Sequence, residues 1–560
     1  MPKLYFTTLL LISIFFNFYA QAQELEWAKS TGSVGVDRAF KITTDNSGNI
    51  ISSGIFNNTI DFDPNSGVDQ HSSNGSSDIF VQKLDSNGNF IWAVTFGGDS
   101  FEYNYGVTTD TNENIYVTGA FQQTVDFGNG SDIITSQGEL DVFIIKLNSN
   151  GDLLWVKTLG GSGTEISEEV KIDGAGNIYI TGAYEGTVDF DPGAGIQEFT
   201  SLGRSDIFIL KLDVDGNYIW AKCFGGILDD YANALTIDSS ENIVTTGYFS
   251  QNVDFDPSSE EFIISSNNTD VFIQKLDPAG NFIWAKGNSS SAISQGKSII
   301  TDNTGNIYIA GAFDDSLYFG SENGNPTAVS NGSTDSFILK LNELGDFRWL
   351  KSIGGSEGDF TNDITLDSNN NVIATGVFTG AVDFDPGSNS HIINSNGSQD
   401  MFIQILDATG SFINAHGTGA SSFDYGEAIT VDNEDNIYLA TSFSETVDID
   451  PSSDTYPLTS NGLIDFSIAK FSPISLGINE NSFQTYLITY PNPTSGNLTI
   501  AFGEYYENIN ISIYNSLGQH ILKKTEYQTN KLELNIDAPA GVYFGEIETD
   551  QKSIIKIIKE

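Results

Sequence analysis

Five stretches of the chain set two aspartates one residue apart and follow them with proline. They read Ile60-Asp61-Phe62-Asp63-Pro64, Val188-Asp189-Phe190-Asp191-Pro192, Val253-Asp254-Phe255-Asp256-Pro257, Val382-Asp383-Phe384-Asp385-Pro386 and Val447-Asp448-Ile449-Asp450-Pro451. Two further copies have lost this form, at Val125-Asp126-Phe127-Gly128 and Leu317-Tyr318-Phe319-Gly320. In extended backbone both carboxylates of Asp-x-Asp point to one side. Such a pair could ligate calcium with backbone carbonyls and water. Turn formation competes for the same residues, because aspartate caps turns and Asp-Pro begins them. Calcium is thus the one cofactor the sequence leaves open, with Asp61, Asp63, Asp189, Asp191, Asp254, Asp256, Asp383, Asp385, Asp448 and Asp450 as its candidate ligands.

Other chemistry finds little support. Cys223 is the single cysteine, so no intrachain disulfide can form, and it fills a slot that other copies give to Ser30, Thr95, Thr158 or Ser352. The histidines His71, His391, His416 and His520 are scattered and lack zinc-like spacing. Asp213-Val214-Asp215-Gly216-Asn217 starts like an EF-hand loop but lacks its downstream glutamate and flanking helices. The Gly-Gly pairs at 97–98, 160–161, 225–226 and 354–355 are not followed by the Lys-Ser/Thr of a phosphate loop. Composition leaves a glycosidase carboxylate pair open. Such a pair should stand out as an exception in one or two copies, and none pairs a base with a nucleophile. No catalytic residues are assigned.

These residues belong to a repeat. Trp27, Trp92, Trp155, Trp220, Trp284 and Trp349 recur every 63–65 residues, and one more period reaches Asn414. Asp-x-Phe-Ile-x-Lys-Leu keeps the same period from Asp78–Leu84 to Asp335–Leu341, with weaker copies at Asp400–Leu406 and Asp465–Phe471. A third block, Asp-x-x-x-Asn-Ile-Tyr-Ile, completes seven units. Each unit reads as four short strands with tight Asp/Gly turns. Seven such units imply an all-β, seven-bladed β-propeller. A fourth-strand copy at residues 24–30 precedes the first full unit, while the last unit ends at its third strand, Phe471. The N-terminal strand is therefore expected to close the last blade and cover two open sheet edges. On that basis Trp27→Ala should cost about 3–5 kcal/mol, as for a buried ring. The fixed place of the tryptophans favours packing between blades over sugar stacking. Functional variation is expected in the long loops between second and third strands.

Lys and Arg number 24 against 74 Asp and Glu, a formal charge of -50. That field repels phosphate backbones, so nucleic acid is not an expected partner. Residues 1–22 read as a signal peptide: Lys3, an apolar run from Leu4 to Phe16, and Ala20-Gln21-Ala22 before a cut near Ala22. No later segment reads as a membrane-spanning helix. The domains expected are the propeller over 23–471, a linker over 472–485 and a separate module over 486–560.

That last module carries its own signature. Tyr490-Pro491-Asn492-Pro493-Thr494-Ser495-Gly496, then Leu517-Gly518, Gly541-Val542-Tyr543 and the closing Lys556–Lys559 occur in order. They resemble the type A C-terminal sorting domain of the type IX secretion system. The resemblance implies a small β-sandwich and marks Tyr490, Pro491, Asn492, Pro493, Gly496, Gly518, Gly541 and Tyr543 as sorting-motif residues. It also implies recognition by the outer-membrane translocon, with the cargo released or attached to the cell surface. The blocks over residues 24–471 resemble the bacterial SBBP propeller repeat, which implies a fold but no single activity. The reading is a secreted or surface-attached binding or adhesion scaffold for an unidentified glycan or protein ligand. The alternative is a polysaccharide-active hydrolase or lyase acting in the channel. Unlike charges from two or three blades at one mouth would favour the enzyme, and a uniform acidic rim the scaffold.

Overall fold

The computed structural model describes residues 24–128, 130–288, 292–319, 327–452, 454–474, 487–515, 519–548 and 552–560. The expected signal peptide, most of the expected linker and Gly518 lie outside them. The chain divides into two compact units after Pro473.

The first unit contains seven antiparallel blades of four strands each, and the sheet of blade 1 is extended by two short strands, Thr124–Asp126 and Ile133–Thr135. Blade 1 runs outward through Arg38–Thr44, Ile50–Phe56, Asp78–Leu84 and Phe90–Gly98. The innermost strands of blades 2 to 7 are Glu102–Thr109, Glu165–Ile172, Tyr231–Ile237, Ser294–Thr301, Phe360–Leu366 and Tyr425–Val431. Each packs on the next, and that of blade 7 packs on that of blade 1, so the ring is closed. The outermost strand of blade 7 is Leu25–Thr31, paired antiparallel with Asp465–Phe471 from Leu25 opposite Phe471 to Thr31 opposite Phe466. The N-terminal strand thus closes the ring.

Apolar cores fill the seams between blades. Phe56, Phe62 and Phe80 of blade 1 share one core with Tyr438, Phe466 and Ile468 of blade 7. The tight turns explain the repeated Asp-x-x-x-Asn. Asp45 Oδ1 accepts from the backbone N–H of Ser47 and Asn49, and Oδ2 accepts from Asn49 Nδ2. Buried Lys83 then reaches Asp45 at 2.8 Å. Burial alone would raise that carboxyl, but Lys83 and Asn49 together hold it below the usual range.

The tryptophans join blades. Trp27 Nε1 donates to Ser86 O of the next blade at 3.2 Å, and Trp92 donates to Ser149 O at 3.1 Å. Trp220 and Trp349 repeat the bond to Pro278 O and Ala408 O, both at 3.3 Å. The rings are half-buried rather than enclosed.

The second unit has strands Leu487–Tyr490, Asn497–Asn515, His520–Asn535, Gly541–Glu548 and Lys552–Lys559. Pairing of the two long strands is interrupted between Ala501 and Tyr506. Leu498 and Ile500 before that break share one core with Ile511 and Ile513 beyond it. Asn492 pins the last strand: its Nδ2 donates to Lys556 O and its Oδ1 accepts from Ile558 N, each at 2.8 Å. Gly496 takes φ 130° where Ile536 N donates to its carbonyl. Tyr543 is buried, with its hydroxyl on Pro539 O. Gly541 opens the fourth strand, and Tyr490 is exposed. Pro491 and Pro493 flank Asn492 in the turn that leads to the long strand. No helix among the described residues is long and apolar enough to cross a membrane.

Candidate ligand site in the channel

Every innermost strand carries a β-bulge at the same place. Pairing with the second strand skips Phe40, Tyr105, Glu168, Asn233, Lys297, Asn362 and Glu427 in blades 1 to 7. A bulge leaves its extra residue unpaired and re-aims the side chain. The residue before it is small in every blade but the second, as at Ala39, Ser167 and Gly426, and is Asn104 there. The bulged residue is of five kinds across the seven blades.

Contacts between blades that are not neighbours show that these side chains face the axis. Lys41 of blade 1 reaches Glu169 of blade 3 at 3.4 Å. Lys297 of blade 5 acts on Glu168 of blade 3, and Lys41 acts on Asp363 of blade 6. Asp363 also ties its neighbours together: Ser298 Oγ donates to its Oδ1 at 2.7 Å and Ile429 N to its Oδ2 at 2.9 Å. Arg38 Nε and Nη2 both donate to Glu427 Oε1, at 2.8 and 2.6 Å.

Burial sets the protonation of this cluster. It pushes Glu168 up to about 7 against the pull of Lys297 and Lys41. Burial also works against the charge of Glu169, but Lys171 and Lys41 outweigh it and hold that carboxyl low. Lys297 is lowered by burial despite Glu168. Of two successive glutamates, Glu168 thus takes a proton far more readily than Glu169.

An aromatic arc lines the mouth on the side of the second-to-third-strand loops. Phe101 and Tyr103 stack with centroids 6.5 Å apart, and Tyr103 and Tyr105 at 6.1 Å. Phe40 continues the arc 5.8 Å from Tyr105. The Arg38 guanidinium lies 4.9 Å from the Phe40 ring centroid and 4.7 Å from that of Tyr425. Across the channel Tyr231 stacks on Tyr248 at 5.2 Å. Phe101 and Phe423 are 48% and 47% exposed at this rim.

The Asp-x-Asp residues lie elsewhere, in the loops. Asp61 Oδ1 accepts from Asp63 N and Asp69 N, while Asp63 Oδ1 accepts from Asn65 N. Asp189 and Asp191, Asp254 and Asp256, and Asp383 and Asp385 repeat this pattern, with Gln197, Phe262 and His391 as the distant donors. Asp448 and Asp450 do so with Tyr456. One oxygen of each aspartate thus closes its own loop. The phenylalanine between them is a core residue: Phe62, Phe190, Phe255 and Phe384 are buried. Among the described residues no three His, Cys, Asp or Glu side chains gather to hold a metal. Cys223 is packed beside Tyr184, and burial pushes its thiol well up. The channel residues escaped the sequence reading. Their signal is a short run of columns in the innermost strand that varies between blades while the aspartate of the following turn does not.

Residues 489–560 match the family model of the Secretion system C-terminal sorting domain. The tail therefore marks the chain for secretion by the type IX system, which places the protein outside the cell or on its surface. An uncharacterized WD repeat-containing protein of Acanthamoeba polyphaga mimivirus is 24% identical over 501 residues, covering 75% of this chain and 36% of its own. The Regulatory protein FlaEY of Caulobacter vibrioides is 23% identical over 132 residues, covering 24% of this chain and 14% of its own. The chain thus spans well under half the length of either relative. Among solved structures, the Neurospora crassa Pan2 WD40 domain aligns with 80% of this chain and 97% of its own at 9% identity, with a TM-score of 0.35. A member of the DUF4221 family from Bacteroides vulgatus covers 64% of this chain and 91% of its own at 9% identity and a TM-score of 0.29.

Proposed function

We propose that this is a non-enzymatic binding scaffold, displayed outside the cell after type IX export, that takes a glycan ligand at the aromatic mouth of its channel. One observation carries the reading. The bulge column holds side chains of five kinds, and the residues beside it vary too, while the turn aspartate that follows each of these strands recurs in all seven blades. Scaffold demands are the same in every blade, so variation at positions facing the axis reflects what the channel contacts. Stacked tyrosine and phenylalanine faces offer flat apolar surfaces with polar edges, and Arg38, Glu168 and Asn233 add hydrogen-bonding groups around them. The charges come from blades 1, 3, 5, 6 and 7, a distribution wider than a two- or three-blade catalytic cluster.

The contrary reading is a polysaccharide-active hydrolase or lyase, and Glu168 beside Glu169 favours it. A neutral and an ionised carboxyl side by side is the pattern of an acid and its partner. A glycan array probed with the full chain separates the two. Binding without turnover, lost at least tenfold in Tyr103→Ala and retained in Glu168→Gln, is expected. Release of shortened or unsaturated sugar, abolished in Glu168→Gln, would replace the scaffold by the enzyme. Adding calcium in a parallel arm tests the Asp-x-Asp loops. A rise in affinity would assign the ion to Asp61, Asp63 and their counterparts.

A further inference from the structure

Six of the seven seams between blades bury two carboxyl groups from opposite sides. One lies on a third strand, as its first residue or within it, and the other begins or just precedes the innermost strand of the next blade. The pairs are Asp78 with Glu102, Asp141 with Glu165, and Asp206 with Asp230. Around the rest of the ring they are Asp335 with Asp359, Asp400 with Asp424, and Asp465 with Asp37. All twelve are buried. Their proximity is built by the backbone. Glu102 N donates to Ser77 O, Glu165 N to Leu140 O and Asp230 N to Ser205 O. Asp359, Asp424 and Asp37 make the same bond to the residue before their own partner.

The four oxygens of each pair do not all find donors. Where the second acid is aspartate, both its oxygens are satisfied: Asp359 accepts from Gly355 N and Thr379 N, and Asp424 from Ala420 N and Ser444 N. The unpartnered oxygen is then on the strand-three acid, namely Asp206, Asp335, Asp400 and Asp465 Oδ1. Where the second acid is glutamate, Asp78 and Asp141 accept through both oxygens, and Glu102 and Glu165 Oε1 are left over. Every one of the six seams has one such atom.

The seventh seam supplies the comparison. Ser294 stands where the second acid would be. Its hydroxyl and Asn288 Nδ2 both donate to Asp270 Oδ1, each at 3.2 Å, and Ser266 Oγ donates to Oδ2 at 2.7 Å. Where the second carboxyl is missing, hydrogen-bond donors take its place.

We propose that six of the seven blade seams each bind one proton, shared between the two carboxyl groups. Two buried carboxylates that act on each other repel and are both short of water. One proton removes one charge and gives the fourth oxygen its partner in a charge-assisted bond. Among the described residues no cation acts on these pairs: the further charged or titratable groups that do are Glu185, Asp229, Asp314, Glu357 and Glu445, with Tyr184 and the Cys223 thiol beside Asp206. Burial and the neighbouring acid raise Glu102 and Glu165 to about 8 and Asp230 to about 7. Burial likewise raises Asp335 and Asp465 to about 6.

Raised acids bind protons in the folded chain that the unfolded chain releases above about pH 4. The stability they confer is full below that pH and is lost as pH rises through 6 to 8. Each site weakens the folding equilibrium by up to about tenfold per pH unit within that window. Denaturant unfolding of the full chain between pH 5.5 and 8.5 reads this as a falling stability with up to six protons in its slope. Glu102→Gln and Glu165→Gln replace the shared proton by a fixed amide donor. Each should lower the slope by up to one proton and raise stability at pH 8.5. Ser294→Asp should add one proton to the slope. A stability that is flat over this range would overturn the proposal. So would glutamine variants with an unchanged slope, or a stability that follows sodium or calcium at fixed pH.

Discussion

Among single residues, turn aspartates were legible in the sequence and channel residues were not. Asp45 and its counterparts recur in every unit, and a recurring Asp with Asn four residues on has one local explanation. Lys41, Glu168 and Asp363 stand in columns that vary from blade to blade, and a varying position does not show which way it points until the bulge is seen. The turn glycines give a sharper residue-scale test. Gly48 and Gly88 have nearly the same φ, 76° and 75°. A Cβ at Gly48 would meet nothing within 4 Å, whereas at Gly88 it would stand 3.0 Å from the Trp27 ring. Gly48→Ala should therefore cost about 1 kcal/mol, the backbone penalty alone. Gly88→Ala should cost about 1 kcal/mol more, through overpacking against the ring. Denaturant midpoints of the two variants give the comparison, and equal losses would remove Trp27 from the argument.

The strands themselves followed from periodicity, because alternating β-branched and aromatic residues between Asp/Gly turns allow little else. The bulge did not, since one extra residue on one strand has no compositional mark and shows only in the register. The closing strand was legible because a fourth-strand copy preceded a unit that lacked one. Its energetics change once the ring is seen half-buried. Trp27 keeps its bond to Ser86 O and its contact with Tyr438 at 6.3 Å, but less of its surface leaves water than in a closed core. Trp27→Ala should cost about 2–3 kcal/mol, below the cost at a fully buried site. Removal of Leu25–Thr31 should do much more, because it bares the edge of Asp465–Phe471 and opens the ring. Loss of cooperative unfolding, with a new tendency to associate through that edge, is the expected outcome in calorimetry and sedimentation. A shortened chain that melts as one sharp transition at the original temperature would contradict closure by this strand.

The whole molecule combines a propeller ring with a tail that directs export, and the two make separable predictions. The tail's motif was legible as a pattern, but the reason for the pattern lies in its fold. Asn492 fits there because its side chain both donates to and accepts from one edge of the last strand, at Lys556 O and Ile558 N. Proline on either side of it leaves no backbone N–H to compete for those groups. Deleting 474–560 should leave the chain inside the outer membrane, and joining those residues to an unrelated secreted passenger should carry it outside. Asn492→Ala loses two hydrogen bonds, about 1–3 kcal/mol for the tail. If the translocon recognises the folded tail, export of this variant should fall with tail stability and recover at lower growth temperature. If it reads the linear sequence instead, the loss will not depend on temperature. Fractionation of producing cells followed by immunodetection distinguishes these results. A deleted chain reaching the medium at the original level would separate export from the tail altogether.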